Sequence, residues 1–149
     1  MKQRGFTLIE LVIVIAILGI LAGVAIPHYL SFEEETRGAR ILADLRAVES
    51  SANMYSVVNG ALPTSAEAKT ALVSKYLAAW PIPPTGNFRV TGYDNVVYRY
   101  RMMGTSTYDW NGAEASANQN RATIGGWTTD DLLKGSTVVS INGSIQRMK

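Results

Sequence analysis

The chain has 149 residues and no cysteine, which excludes a disulfide scaffold and thiolate metal sites and leaves packing to hold any globular part together. Its formal charge of +2 comes from Lys2 and Arg4, because from Phe6 onward twelve Lys and Arg balance twelve Asp and Glu; the pI near 9.0 says little about nucleic acid. With one histidine, no phosphate-binding glycine loop and no supported carboxylate pair, the sequence carries no catalytic constellation and reads as a non-enzyme.

The first predicted element is an apolar helix. Residues 6 to 26 hold Thr7 and Glu10 as their clearly polar side chains. As a helix rising about 1.5 Å per residue, this stretch reaches about 32 Å, enough to cross a bilayer's hydrocarbon core. Lys2 and Arg4 then read as its cytoplasmic flank. Glu10 is the anomaly, since an acidic residue near the middle of a span costs roughly 2.5–3.5 kcal/mol. A partner acquired in a later state is expected for it. Pro27 removes a helical hydrogen bond and predicts a kink where the chain leaves the lipid. His28 stands alone and suggests no metal.

From 27 to 58 the helical pattern resumes with one greasy stripe, Ile41, Leu45, Val48, Ala52 and Tyr55. Glu33 with Arg37, and Arg40 with Asp44, sit four apart on other faces. Asn59-Gly60 predicts a left-handed cap, and Pro63 stops the helix resuming. Residues 6 to 58 therefore read as one long bent helix, and residues 59 to 149 as the globular part that covers the stripe.

In that part, Thr64 and Glu67 fit a capping box opening a short helix through about Tyr76, and "WPIPPTGN" reads as a loop. "NVVYRYRM" alternates as a half-buried strand, with Val96, Tyr98 and Tyr100 on one face and Val97, Arg99 and Arg101 on the other. "GTSTYDWNGAEASANQN" has no periodicity and reads as a long loop. "STVVSINGSIQRM" predicts two short strands joined by an Asn142-Gly143 turn, which also accounts for the Asn142-Gly143-Ser144 glycosylation sequon. An antiparallel sheet on the amphipathic half-helix makes the fold class α+β. Tyr98, Tyr100, Tyr108, Trp110 and Trp127 read mostly as core and strand residues rather than a binding surface or a path of stacked rings, and Arg89, Arg99, Arg101, Arg121 and Arg147 as a solvated sheet face rather than a nucleic-acid contact.

Two processing schemes compete for the opening. In a secretory one, Leu11 to Leu21 is the apolar region, Gly23-Val24-Ala25 the cleavage site, and the product a soluble exported binding domain starting near Ile26. Against it, Glu10 interrupts the apolar region and the cut falls inside one helix. In the other, cleavage precedes the apolar run. "KQRGFTLIELVIVIAILGILAGVAIP", with its Gly-Phe junction, Thr7-Leu8-Ile9-Glu10, unbroken apolar helix and Pro27, resembles the amino terminus of the type IV pilin and pseudopilin family, and the likeness extends to about residue 58.

That resemblance implies a pilin fold and a leader peptide of residues 1–5. Prepilin peptidase would cut after Gly5, and Phe6 would become the new, N-methylated terminus. Glu10 would be the acidic residue of subunit assembly. It implies a homo-oligomeric helical filament built from membrane-stored precursors, sibling minor pilins, an assembly ATPase and a membrane platform. The precursor would sit in the bacterial inner (cytoplasmic) membrane, and the product would be an extracellular pilus or a periplasmic pseudopilus; a minor pilin acting as an adhesin is a further form. Major pseudopilins bind calcium in a late loop, for which Asp109, Asn111, Glu114, Asp130 and Asp131 offer hard oxygens. No other cofactor is implied. Gly19 and Gly23 form a GxxxG spacing that suits either close helix approach or helix flexibility.

Overall fold

The periodicities of the first sixty residues are realised as a single helix, α1 (Leu8–Asn59), with Pro27 inside it. The structure is a computed structural model that describes residues 5–102, 106–112, 115, 118–135 and 145–148. Residues Met1–Glu33 and Glu34–Lys149 form two compact units.

In the first unit every large apolar side chain from Phe6 to Ile26 is exposed, and the helix is long and apolar enough to cross a membrane. In the second unit α1 has the one-sided character its sequence predicts. Ile41, Leu45, Val48 and Ala52 are completely buried, and Tyr55 is half-buried with its ring edge-on to Tyr76 at 6.0 Å. The helix ends as expected: Gly60 adopts φ 78°, and its N–H donates to the Ser56 carbonyl at 2.8 Å.

The stripe is covered by short elements: α2 (Ala68–Leu72), β1 (Phe88–Thr91), β2 (Val97–Met102), β3 (Tyr108–Asn111), β4 (Arg121–Ile124), α3 (Thr129–Leu133) and β5 (Ile145–Arg147). Strands β1, β2 and β5 form one antiparallel sheet in that order; β3 and β4 form a second. Leu72, Phe88, Tyr100, Tyr108, Ile124 and Leu132 join the α1 stripe in one buried core. This is the α+β pilin fold, a long amino-terminal helix packed on a small antiparallel sheet.

Several expectations need correction. The Thr64–Glu67 capping box forms, Thr64 N–H donating to Glu67 Oε1 at 3.0 Å, yet α2 stops at Leu72 rather than near Tyr76 because Ser74 turns the chain with φ 73°. Val96 precedes β2 and is exposed, although Tyr98 and Tyr100 are buried as predicted. The polar stretch read as a long loop contains β3, whose Tyr108 and Trp110 face the core. Strands β1 and β4 and helix α3 have no counterpart in the sequence reading. The Asn142-Gly143 turn lies outside the described residues, while β5, predicted as the second arm, pairs with β2.

Three of the arginines read as solvated are engaged in ion pairs. Arg89 and Arg99 stand directly opposite each other on β1 and β2, a like-charge pair that would destabilise the ladder. Glu34 of α1 sits between them, accepting from Arg89 Nε and Arg99 Nε, each at 2.8 Å, with Arg99 Nη2 also bonded to it. Arg121 pairs with Glu49 and Asp130. Arg147 donates to the Gly135 carbonyl and stacks over the Tyr98 ring, and Arg101 remains exposed.

Desolvation pushes the Glu34 pKa up, but hydrogen bonds and charge from Arg99 and then Arg89 together outweigh it, so the net direction is down from 4.5. A carboxylate with a depressed folded pKa contributes stability that is present above its unfolded value and lost as pH falls through the folded one. Melting midpoints of the wild type should therefore decline from about pH 4.5 downward. Glu34→Gln should start lower and decline less over that window; parallel curves would show that Glu34 is not the titrating group.

Candidate functional site

The amino-terminal end of α1 concentrates the predicted site residues. Gly5 and Phe6 precede the helix, and Phe6 is 83% exposed. A Cβ built on Gly5 meets nothing within 4 Å, and its backbone does not require left-handed geometry. Nothing in the described fold demands glycine there.

Glu10 lies in the first turn of α1, at the positive end of the helix dipole, where an acidic side chain is favoured. Its Oε2 accepts from the Thr7 backbone N–H at 2.9 Å and from the Thr7 hydroxyl at 2.8 Å, while its own N–H donates to Thr7 Oγ1 at 3.3 Å. This is a reciprocal capping box, in which two donors at a helix start are satisfied by side chains. Thr7 is the residue that sequence reading passed over. The Thr-x-x-Glu spacing at 7 and 10, the same signal recognised at Thr64 and Glu67, was sufficient to find it. The box explains how an isolated chain carries a carboxylate at the head of an apolar rod. It occupies one of the two carboxylate oxygens, leaving Oε1 for another donor.

Gly19 and Gly23 each have open space where a Cβ would stand, so the chain's own packing does not require either glycine. Pro27 lies further along the same helix.

The calcium candidates are dispersed. Asp109 is in β3, with its Oδ1 3.6 Å from Lys69 Nζ and its Oδ2 3.1 Å from the Thr107 hydroxyl. Asn111 ends the same strand, and Glu114 lies outside the described residues. Asp130 and Asp131 are in the first turn of α3, where Asp131 completes a capping box with Thr128. Among the described residues no group of three or more His, Asp or Glu side chains is arranged to hold a metal ion.

Comparison with known proteins bears on the same segment. A family model described as the prokaryotic N-terminal methylation motif matches residues 1–26. The chain is 37% identical over 92 residues to the type II secretion system core protein G of Klebsiella pneumoniae, covering 62% of this chain and 64% of that protein. The counterpart from Aeromonas hydrophila matches at 37% over 92 residues, 62% of each chain. These alignments thus span a little less than two thirds of those relatives. The core protein G of Pseudomonas aeruginosa aligns over 146 residues at 30% identity, 85% of this chain and 96% of that one. No solved structure matches. An amino-terminal methylation motif on a pilin fold, together with a near full-length relative, places this chain in the family of type II secretion system core protein G.

Proposed function

We propose that the chain is a prepilin-like precursor and a structural subunit of a pseudopilus filament serving type II secretion, not an enzyme. The observation that carries this reading is the apolar helix, with its large side chains exposed from Phe6 to Ile26 and a capped carboxylate at its head. Burying one such side chain is worth about 1.5–3 kcal/mol, so the exposed run must be covered. The bilayer covers it in the precursor, and neighbouring copies cover it in the filament. Each copy meets the next head to tail through a contact whose rotation does not close, which gives an open helix rather than a ring.

In this reading prepilin peptidase removes residues 1–5 by recognising Gly5, and Phe6 becomes an N-methylated terminus. Glu10 then lies one helical turn from a cationic amine, on its own chain or on a neighbour's. The open positions at Gly19 and Gly23 let a second helix approach closely. An assembly ATPase with its membrane platform and sibling minor pilins complete the partners. The precursor resides in the bacterial inner membrane and the filament in the periplasm; the names of the relatives favour this over an extracellular pilus. A nucleic-acid partner is no part of this reading, and three of the five arginines that suggested one are engaged in ion pairs.

Amino-terminal mass analysis of the protein purified from its membrane tests the maturation. A chain beginning at methylated Phe6 is expected. A chain beginning near Ile26 would instead mean release by signal peptidase, with a cut inside α1, and would end the filament reading.

A further inference from the structure

Calcium in a late loop is what the pseudopilin resemblance implies, and such an ion takes six to eight oxygen ligands at about 2.3–2.6 Å. Here both oxygens of Asp130 and of Asp109, and one oxygen of Asp131, already face organic donors. Asp130 Oδ1 accepts from the Tyr93 hydroxyl at 2.9 Å, and its Oδ2 lies 3.4 Å from Arg121 Nη1. Arg121 Nε donates to Glu49 Oε1 at 2.7 Å. Asp131 Oδ2 accepts from both the N–H and the hydroxyl of Thr128 at 2.8 Å. The Arg121 guanidinium beside Asp130 and the Lys69 ammonium 3.6 Å from Asp109 repel a dication, so these two described carboxylates do not fit calcium.

We propose that Arg121 takes the place of a structural cation, tying α1 through Glu49 to α3 through Asp130, so that the carboxy-terminal part of this chain holds together without calcium. Guanidinium suits the task, being permanently charged and presenting its donors in a rigid fork that can serve two carboxylates at once. The network joins groups distant in sequence: Arg121 is 72 residues from Glu49, and Tyr93 is 37 from Asp130. Through Tyr93 it also holds the turn between β1 and β2, whose backbone docks on α3 by Tyr93 N–H to the Leu133 carbonyl at 3.1 Å. The Tyr93 hydrogen bond, with Arg121 behind it, lowers the Asp130 pKa from its ordinary 3.8.

The test is thermal melting of the full chain in detergent micelles, followed by fluorescence of Trp80, Trp110 and Trp127, with calcium chloride or with a calcium chelator. The wild-type midpoint should be the same in both, and Arg121→Gln should lower it by several degrees in both. A wild-type midpoint raised by calcium overturns the proposal, and so does an Arg121→Gln chain that melts like the wild type. If Arg121→Gln does not fold, Arg121→Lys decides: a partial loss supports the fork, and an unchanged midpoint overturns it. Melting is read on unassembled chains, so this result stands apart from whether filaments form.

Discussion

Cells carrying Glu10→Ala should accumulate the subunit in their membranes and show no filaments by electron microscopy. In the isolated chain Thr7 satisfies one oxygen of Glu10, and nothing else contacts the carboxylate among the described hydrogen bonds. In a filament, a cationic amine about 4 Å away would attract it by roughly 4 kcal/mol at an effective dielectric of 20, before desolvation is deducted. Repeated at each subunit, even half of that shifts assembly by more than tenfold per added copy. The pairing also sets alignment, since a misplaced neighbour leaves both charges unpaired among apolar side chains. Glu10→Gln separates charge from capping. It can still accept from Thr7 but carries no charge to form an ion pair with an amine, so it should fail as Glu10→Ala does. Normal filaments from Glu10→Gln would reduce Glu10 to a helix cap and remove its assembly role.

The second large effect is expected in the globular unit. Gly38 is buried on α1, and a Cβ placed there would overlap the Arg89 backbone carbonyl. The clash is with main chain on β1, so no rotamer change relieves it; helix and strand would have to separate. Gly38→Val should therefore cost about 3 kcal/mol or more, at the upper end for overpacked cores. A melting midpoint lower by more than about 10 °C would follow, given about 4–8 °C per kcal/mol for a domain near this size. Gly23→Val is the matched control, since a Cβ there meets open space, and the melting of the globular unit should be unchanged. A Gly38→Val chain that melts with the control would mean that the close approach of α1 to β1 is not a constraint on this fold.

Much of this molecule was legible locally. The extent of the helix, its change from apolar all round to a single stripe at Ile41, Leu45, Val48 and Ala52, and its stop at Asn59-Gly60 follow from spacing within a few residues of each position. The amino-terminal motif is likewise contiguous, and even Thr7, passed over, was available as the partner three residues before Glu10.

The sheet was only partly legible. Strand β2 announced itself by alternation, whereas β1, with four residues, and β3, inside a polar stretch, are strands because of what they pair with and bury. The same holds for the charges. No local rule distinguishes Arg89, Arg99 and Arg121 from solvated arginines; Glu34 and Glu49 reach them across separations of 55 to 72 residues. Gly38 is a similar case, an unremarkable helix glycine until β1 is laid against it. The amino-acid order by itself determined the helix and its two characters, because helical hydrogen bonds and side-chain faces repeat every three to four residues. Tertiary structure alone decided the short strands, the paired arginines and the necessary glycine, because each exists through a contact whose two halves are far apart along the chain.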